Sequence, residues 1–297
     1  MALYDEDFRP MLLDEVSKPF NDPDYLFEMK LDGMRALIYV DPKKVRIINR
    51  RLNVLNDTYP ELQTLKYLVK TKCIFDGEII SMVNGFPSFN KLQERILLKN
   101  PHKIKYMQEN FPVTFVAFDI IYEGKDLTNL PLLQRKKILN KYLDTTYFVK
   151  TTYIKEKGIS FYEEIKKLNL EGIIAKKINS KYYINTRSKE WLKIKNWYDE
   201  EFWICGYNED SPYVASLLLG YEDNKELKYA AKVIIGKNKA EYKIIKKCQT
   251  SKKSPLIDYD KSEFTFLKPT LKCTVEYLEK TKHNHLRQPV YKGIRYD

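Results

Sequence analysis

Alternation, not helical periodicity, dominates the first two thirds of the chain. Tyr25-Leu26-Phe27 and Ala36-Leu37-Ile38-Tyr39-Val40 are apolar runs of strand length, and between them lies Lys30-Leu31-Asp32-Gly33, whose Asp-Gly pair marks a turn. Further strands are expected over 45–49, 73–81, 113–122, 172–176 and 191–195. Helical spacing appears over 88–98, with Ser88 as its N-cap, and over 132–143 and 159–168. The intervals are too short and irregular for repeated βαβ units, so residues 1–198 are expected to form an α+β domain on antiparallel sheets. Past Trp197-Tyr198 comes an acidic triplet, Asp199-Glu200-Glu201, and the pattern changes. Short strands over 202–207, 214–221, 227–235 and 274–277, with a helix near 237–248, suit a small β-barrel of the OB type over 199–297.

Composition narrows the class. With 52 Lys and Arg against 40 Asp and Glu, the net charge of +12 favours a polyanionic partner such as nucleic acid. The acidic start, Met1-Ala2-Leu3-Tyr4-Asp5-Glu6-Asp7, is unlike a signal peptide, and no apolar run approaches the roughly 20 residues of a membrane helix. An intracellular protein with no membrane segment is expected. Cys73, Cys205, Cys248 and Cys273 are scattered without a Cys-x-x-Cys pair, and His283 and His285 lack acidic or sulfur neighbours, so no zinc site is expected.

Six clusters carry candidate chemistry. Lys30 sits in a charged turn, but a free lysine, with a pKa of about 10.4, is protonated at neutral pH. A nucleophilic role needs neighbouring cations or a metal to lower that value, and an electrophile held in line. Arg50, at a strand end, suits a phosphate. Glu78, in Phe75-Asp76-Gly77-Glu78, could accept from a ribose hydroxyl, and Phe118 could stack on a purine. Glu171 could bind a divalent cation, with Ile173 or Ile174 closing a base pocket. Lys193 and Lys195 share one face of a strand, where they repel unless an anion such as a nucleotide phosphate lies between them; that pair would also lower the pKa of a nearby Lys30. Taken singly, each cluster also fits an ordinary hairpin, core or edge strand.

In order, these clusters resemble the covalent nucleotidyltransferase superfamily, specifically ATP-dependent DNA ligases of minimal size. The family's Lys-x-Asp-Gly-x-Arg, Asp-Gly-Glu, Phe-Asp, Glu-Gly and Lys-x-Lys elements occur from Lys30 to Lys195, and Leu286 to Asp297 resembles its last motif. The resemblance implies a nucleotidyltransferase domain of ATP-grasp-like antiparallel sheets followed by an OB domain. It implies that Lys30 attacks the α-phosphate of ATP and passes AMP to the 5′-phosphate of nicked double-stranded DNA, which the 3′-hydroxyl then seals. By the same resemblance Glu28 contacts the nucleotide and Arg35 and Glu78 the ribose. Arg50 meets a phosphate, Phe118 and Ile173 the base, and Lys193 and Lys195 the α-phosphate. Glu171, with Glu78, holds Mg²⁺, for which Mn²⁺ substitutes, and Arg295 with Asp297 orients pyrophosphate. A monomer is implied.

Two departures and three rivals follow. Asn208-Glu209-Asp210-Ser211-Pro212 is a short turn where some minimal ligases carry a long DNA-encircling insertion, and the last motif stops at Asp297 without a following basic residue. The few residues ahead of Lys30 argue against an NAD-dependent ligase. A capping guanylyltransferase shares the lysine chemistry, but Trp191-Leu192-Lys193-Ile194-Lys195 differs from the Lys-Trp-Lys-Pro form expected there. An RNA ligase also shares the lysine chemistry, but the Asp-Gly after Lys30 and the expected OB domain argue against it. A DNA-binding module with an inactive core is the non-enzymatic rival. Ten lysines between 225 and 253, against Glu226 and Glu241, form a candidate DNA contact through phosphates.

Overall fold

The computed structural model describes residues 2–83, 86–87, 89–261 and 263–295. The chain divides into two compact units, Met1–Lys195 and Asn196–Asp297.

The first unit is built on two five-strand paths. One runs Leu12–Glu15, Arg187–Lys195, Gly172–Lys177, Asp22–Met29, Ile154–Glu156. The other runs Val45–Asn49, Met34–Val40, Cys73–Val83, Val113–Glu123, Phe148–Lys150. The sheets are antiparallel, as expected, apart from two edge pairs: Leu12–Glu15 runs parallel to Arg187–Lys195, and Phe148–Lys150 parallel to Val113–Glu123. In both pairs more than twenty residues separate the strands, length enough for a crossover.

Between the sheets lies a shared core. Leu26 and Trp191 from the first pack with Leu37, Tyr39, Ile74 and Ile121 from the second. The outer face of the first sheet is covered by the Gly158–Lys167 helix, through Phe27, Ile165, Ile173 and Ile194. The outer face of the second buries Ile38, Ile47, Phe75 and Phe115 with Leu62 and Leu65 of the Pro60–Leu68 3₁₀ segment. Covered on both faces, Val113–Glu123 is almost continuously apolar. The helix expected over 88–98 is found as Phe89–Ile96, and its proposed cap Ser88 lies outside the described residues. A second helix, Pro101–Asn110, was not anticipated, although Asn100 accepts from the His102 amide at 2.9 Å and Pro101 opens the first turn.

The second unit is a five-strand path, Glu226–Gly236, Val214–Asp223, Tyr198–Asn208, Lys272–Tyr277, Val290–Arg295, with its two outer strands in contact. Phe202, Leu217, Leu219, Val233, Val275 and Ile294 fill the interior, an OB-like barrel core. The helix near 237–248 is a shorter Ala240–Ile245, and residues 209–213 connect two strands as a tight turn. Asp199-Glu200-Glu201 lies exposed within the first strand.

Candidate active site

Cross-strand register assembles the site. Glu28, Ile174, Lys193 and Glu15 form one row across four strands. Leu26, Lys176 and Trp191 form the next row of the same face, two residues along. On the other side, Gly172 pairs with Lys195, and the Lys30 amide donates to the Gly172 carbonyl at 2.9 Å. Three segments distant in sequence thereby present Lys30, Glu28, Lys193 and Lys195 together. Gly172 has φ +134°, a conformation that only glycine adopts without strain, which explains the Glu-Gly pair. Gly33 is required by contact: a Cβ there would lie 2.4 Å from the Ile79 carbonyl oxygen.

The same register corrects one assignment. Ile173 points to the opposite face and is buried with Phe27, Ile165 and Ile194, so Ile174 is the residue that meets the cavity.

The charges on this face are paired. Lys30 Nζ contacts Glu171 Oε1. The anion between Lys193 and Lys195 is the Glu15 carboxylate, at 2.9 Å and 3.6 Å, brought there by the parallel strand. Burial alone would raise the Glu15 carboxyl, but the two ammoniums hold it below the ordinary range. Burial, with Lys193 and Lys30 nearby, lowers the Lys195 ammonium.

The second sheet supplies the facing residues. Arg35 and Glu78 are cross-strand partners. The Arg35 guanidinium donates to both Asp76 oxygens, Nε at 3.0 Å and Nη2 at 2.7 Å, and the Tyr182 hydroxyl adds a bond at 2.6 Å. Burial pushes the Glu78 carboxyl up to about 8, against the pull of Lys30 and Arg35. Phe118 carries the Arg35 guanidinium 5.0 Å and the Lys176 ammonium 4.1 Å from its ring centre.

A cavity of about 100 Å³ gathers these groups: Lys30, Arg35 and Lys176 as cations, Glu28 and Glu78 as acids, and Phe118, Ile174 and Trp191 as apolar wall. Arg50 lies elsewhere, in an open groove of about 1110 Å³ that Arg9, Arg35 and Arg51 also line. Arg295 ends the last strand of the second unit, its Nε 3.0 Å from Glu201, and Asp297 lies outside the described residues. Among the described residues no group of three or more His, Cys, Asp or Glu side chains could hold a metal. Sequence reasoning missed Glu15, Asp76, Lys176 and Trp191. For the last two a signal existed, because the two-residue period that pairs Lys193 with Lys195 also includes Trp191, and the one that selects Ile174 includes Lys176.

On the second unit, four of the ten lysines are paired: Lys228 with Asp223 at 2.7 Å, Lys232 with Glu263, and Lys237 and Lys246 with Glu209 at 2.6 and 2.8 Å. Lys225, Lys239, Lys243, Lys247, Lys252 and Lys253 are exposed and carry no ion pair among the described residues.

Comparison with known proteins places this arrangement. Residues 10–195 match the model of the ATP dependent DNA ligase domain, and residues 210–297 that of the ATP dependent DNA ligase C terminal region. The chain is 31% identical to the SPbeta prophage-derived DNA ligase-like protein LigB of Bacillus subtilis, over 96% of this chain and 98% of that one. It is 30% identical to the multifunctional non-homologous end joining protein LigD of Mycolicibacterium smegmatis, over 98% of this chain but only 39% of LigD. A solved mycobacterial DNA ligase D, complexed with ATP and MES, shares 25% identity at a TM-score of 0.60, covering 100% of this chain and 97% of that one. The chain belongs to the ATP-dependent DNA ligases, a family that works through a lysine-bound adenylate.

Proposed function

We propose that the cavity holds the adenosine of ATP and that Lys30 is the nucleophile, sealing nicks with a 5′-phosphate and a 3′-hydroxyl in duplex DNA. The observation that carries this is the juxtaposition of Lys30 with Lys195 across Gly172, beside a cavity that combines acids, cations and an aromatic wall. The Lys30 amine attacks the α-phosphorus, a P–N bond forms, and the P–O bond to pyrophosphate breaks. Glu171, in contact with Nζ, is placed to hold the proton that Lys30 sheds. Lys193 and Lys195 exchange the Glu15 carboxylate for the α-phosphate and stabilise the charge that develops there. Arg35 and Glu78 meet the ribose, Glu28 the base edge, and Phe118 and Ile174 the base faces. Phosphoryl transfer of this kind rests on positioning and charge neutralisation, which these side chains supply.

Mg²⁺ fits the donor set. Glu78 and Glu171 offer hard oxygen ligands, and the negative charge of Glu171 and Asp76 helps raise the Glu78 carboxyl, a repulsion that a divalent cation would relieve. Bound there, the ion would neutralise phosphate charge. The arginine-lined groove and the exposed lysines of the second unit are assigned to DNA phosphates, with Arg295 to pyrophosphate. The protein acts as a monomer, inside the cell where the genome is held.

Incubation with Mg²⁺ and α-labelled ATP or GTP tests this on a denaturing gel. Label from ATP, lost in Lys30→Ala and chased by nicked duplex, is the expected result. Label from GTP alone would make the protein a capping enzyme, and no label from either would overturn the catalytic assignment.

A further inference from the structure

Glu28 and Lys176, in the cavity wall, share a buried charge cluster with Lys136, which no catalytic step uses. Glu28, Lys136 and Lys176 are each 2% exposed. Lys136 comes from the Leu132–Leu139 helix, where its spacing gives no sign of function, and it does not line the cavity. Its ammonium contacts Glu28 Oε1 and donates to Thr151 Oγ1 at 3.0 Å; the Thr151 hydroxyl in turn donates to Glu28 Oε1 at 3.1 Å. Lys176 Nζ lies 2.6 Å from Oε2. A carboxylate has about four acceptor positions, so both on Oε1 are taken and at least one remains on Oε2.

Such a cluster is poor value as a stabiliser. Two ammoniums and one carboxylate leave a net positive charge in the interior, and apolar side chains of similar volume would serve stability at least as well. What the cluster does supply is a carboxylate that stays ionised and cannot turn. Burial would raise Glu28, but Lys136 and Lys176 hold it below the ordinary carboxylate range. Lys176 is itself fixed, 4.1 Å from the ring centres of both Phe118 and Trp191.

We infer that Lys136, with Thr151, is a specificity-determining positioning residue for the nucleobase: it pins Glu28 so that the remaining acceptor serves a base edge carrying an exocyclic amine. Adenine presents such a donor, whereas guanine presents a keto oxygen at the equivalent position and would set acceptor against acceptor. The inference rests on the reading that this cavity takes the base of ATP. A site built to accept a hydrogen bond rejects a partner that cannot donate one far more strongly than an apolar pocket rejects a misfit.

The test is lysyl-nucleotide formation with α-labelled ATP and α-labelled GTP, comparing kcat/KM ratios for the full chain and its variants. Lys136→Met is expected to lower the ATP-over-GTP ratio about tenfold or more, mainly through the KM for ATP, with the rate at saturating ATP within a few-fold of the parent. Thr151→Val should shift the ratio the same way by a smaller factor, and Lys136→Arg should restore most of it. Equal losses with both nucleotides in Lys136→Met would mean a merely structural role and overturn the inference. Should Lys136→Met fail to fold by circular dichroism, Thr151→Val, which exchanges one hydroxyl for a methyl, decides, and an unchanged ratio rejects the proposal. Glu28→Gln separates the two levels: a ratio unmoved in that variant sinks the base-reading role of Glu28 itself, whereas a ratio moved by Glu28→Gln but not by Lys136→Met sinks only the role of Lys136.

Discussion

The cavity face of the first unit and the lysine-rich surface of the second are both crowded with ion pairs, yet water treats them differently. Glu28, Lys136, Lys176 and Asp76 are almost fully enclosed, whereas Glu209, Lys246, Glu263 and Lys232 are about 40% exposed or more. Enclosed charges interact strongly and only in fixed geometry; exposed ones are screened beyond about 8 Å at physiological salt. Fixed geometry suits a reaction that must align three atoms. A screened, adjustable field suits a phosphate backbone that is held without being read. Counting charges would not separate the two regions; the enclosure of the Glu28 and Asp76 pairs, which has no counterpart among the paired lysines of the second unit, does.

The largest effect expected belongs to the enclosed region. Lys30→Arg should abolish the labelled adduct, a loss of at least about 10³-fold, because a guanidinium stays protonated; labelled adduct at even a tenth of the parent level would move the nucleophile elsewhere. Next in size is Asp76→Asn, which leaves the largely enclosed Arg35 guanidinium without its paired carboxylate. A loss of about 3–5 kcal/mol by urea titration is expected, and a loss under 1 kcal/mol would put this pair in the same class as the surface ones.

Glu78 gives a pH-dependent comparison. Its folded value of about 8 lies above the unfolded value of about 4.3, so the unfolded chain releases this proton first. Stability from this group therefore falls as pH rises from about 4.3 toward 8. Glu78→Gln should raise the Tm by several degrees at pH 8 and match the parent near pH 4; a variant less stable at pH 8 would contradict the raised value. The smallest effect is expected in the second unit. Lys237 and Lys246 hold Glu209 down to about 2, so Glu209→Gln releases two lysines. Binding to nicked duplex should tighten a few-fold at low salt and converge with the parent at high salt, measured by fluorescence anisotropy. Tightening that persists at high salt would mean that this surface does more than meet phosphates.

What was legible in the sequence follows from the same contrast. Lys30, Glu171, Lys193 and Lys195 sit at strand ends and alternations, where a two-residue period fixes the face. Lys136 sits on a helix whose apolar stripe is weak, so a buried lysine there is indistinguishable from a solvated one until the helix is placed against Glu28. Glu15 was hidden because a parallel partner 178 residues away cannot be inferred from local pattern. Ile173 and Ile174 are chemically alike, so only the register tells them apart. The barrel was legible from its run of short strands, and its six-residue helix was overestimated because lysines continue the polar pattern past Ile245.

The rows across the first sheet also govern how this chain tolerates insertions and deletions. Adding one residue within Gly172–Lys177 would turn the strand over beyond that point, sending Lys176 toward the Gly158–Lys167 helix and an apolar neighbour into the cavity. Adding two would restore the faces and shift only the spacing. Length variation in this strand is therefore quantised in pairs, a constraint that falls on the backbone whatever side chains it carries.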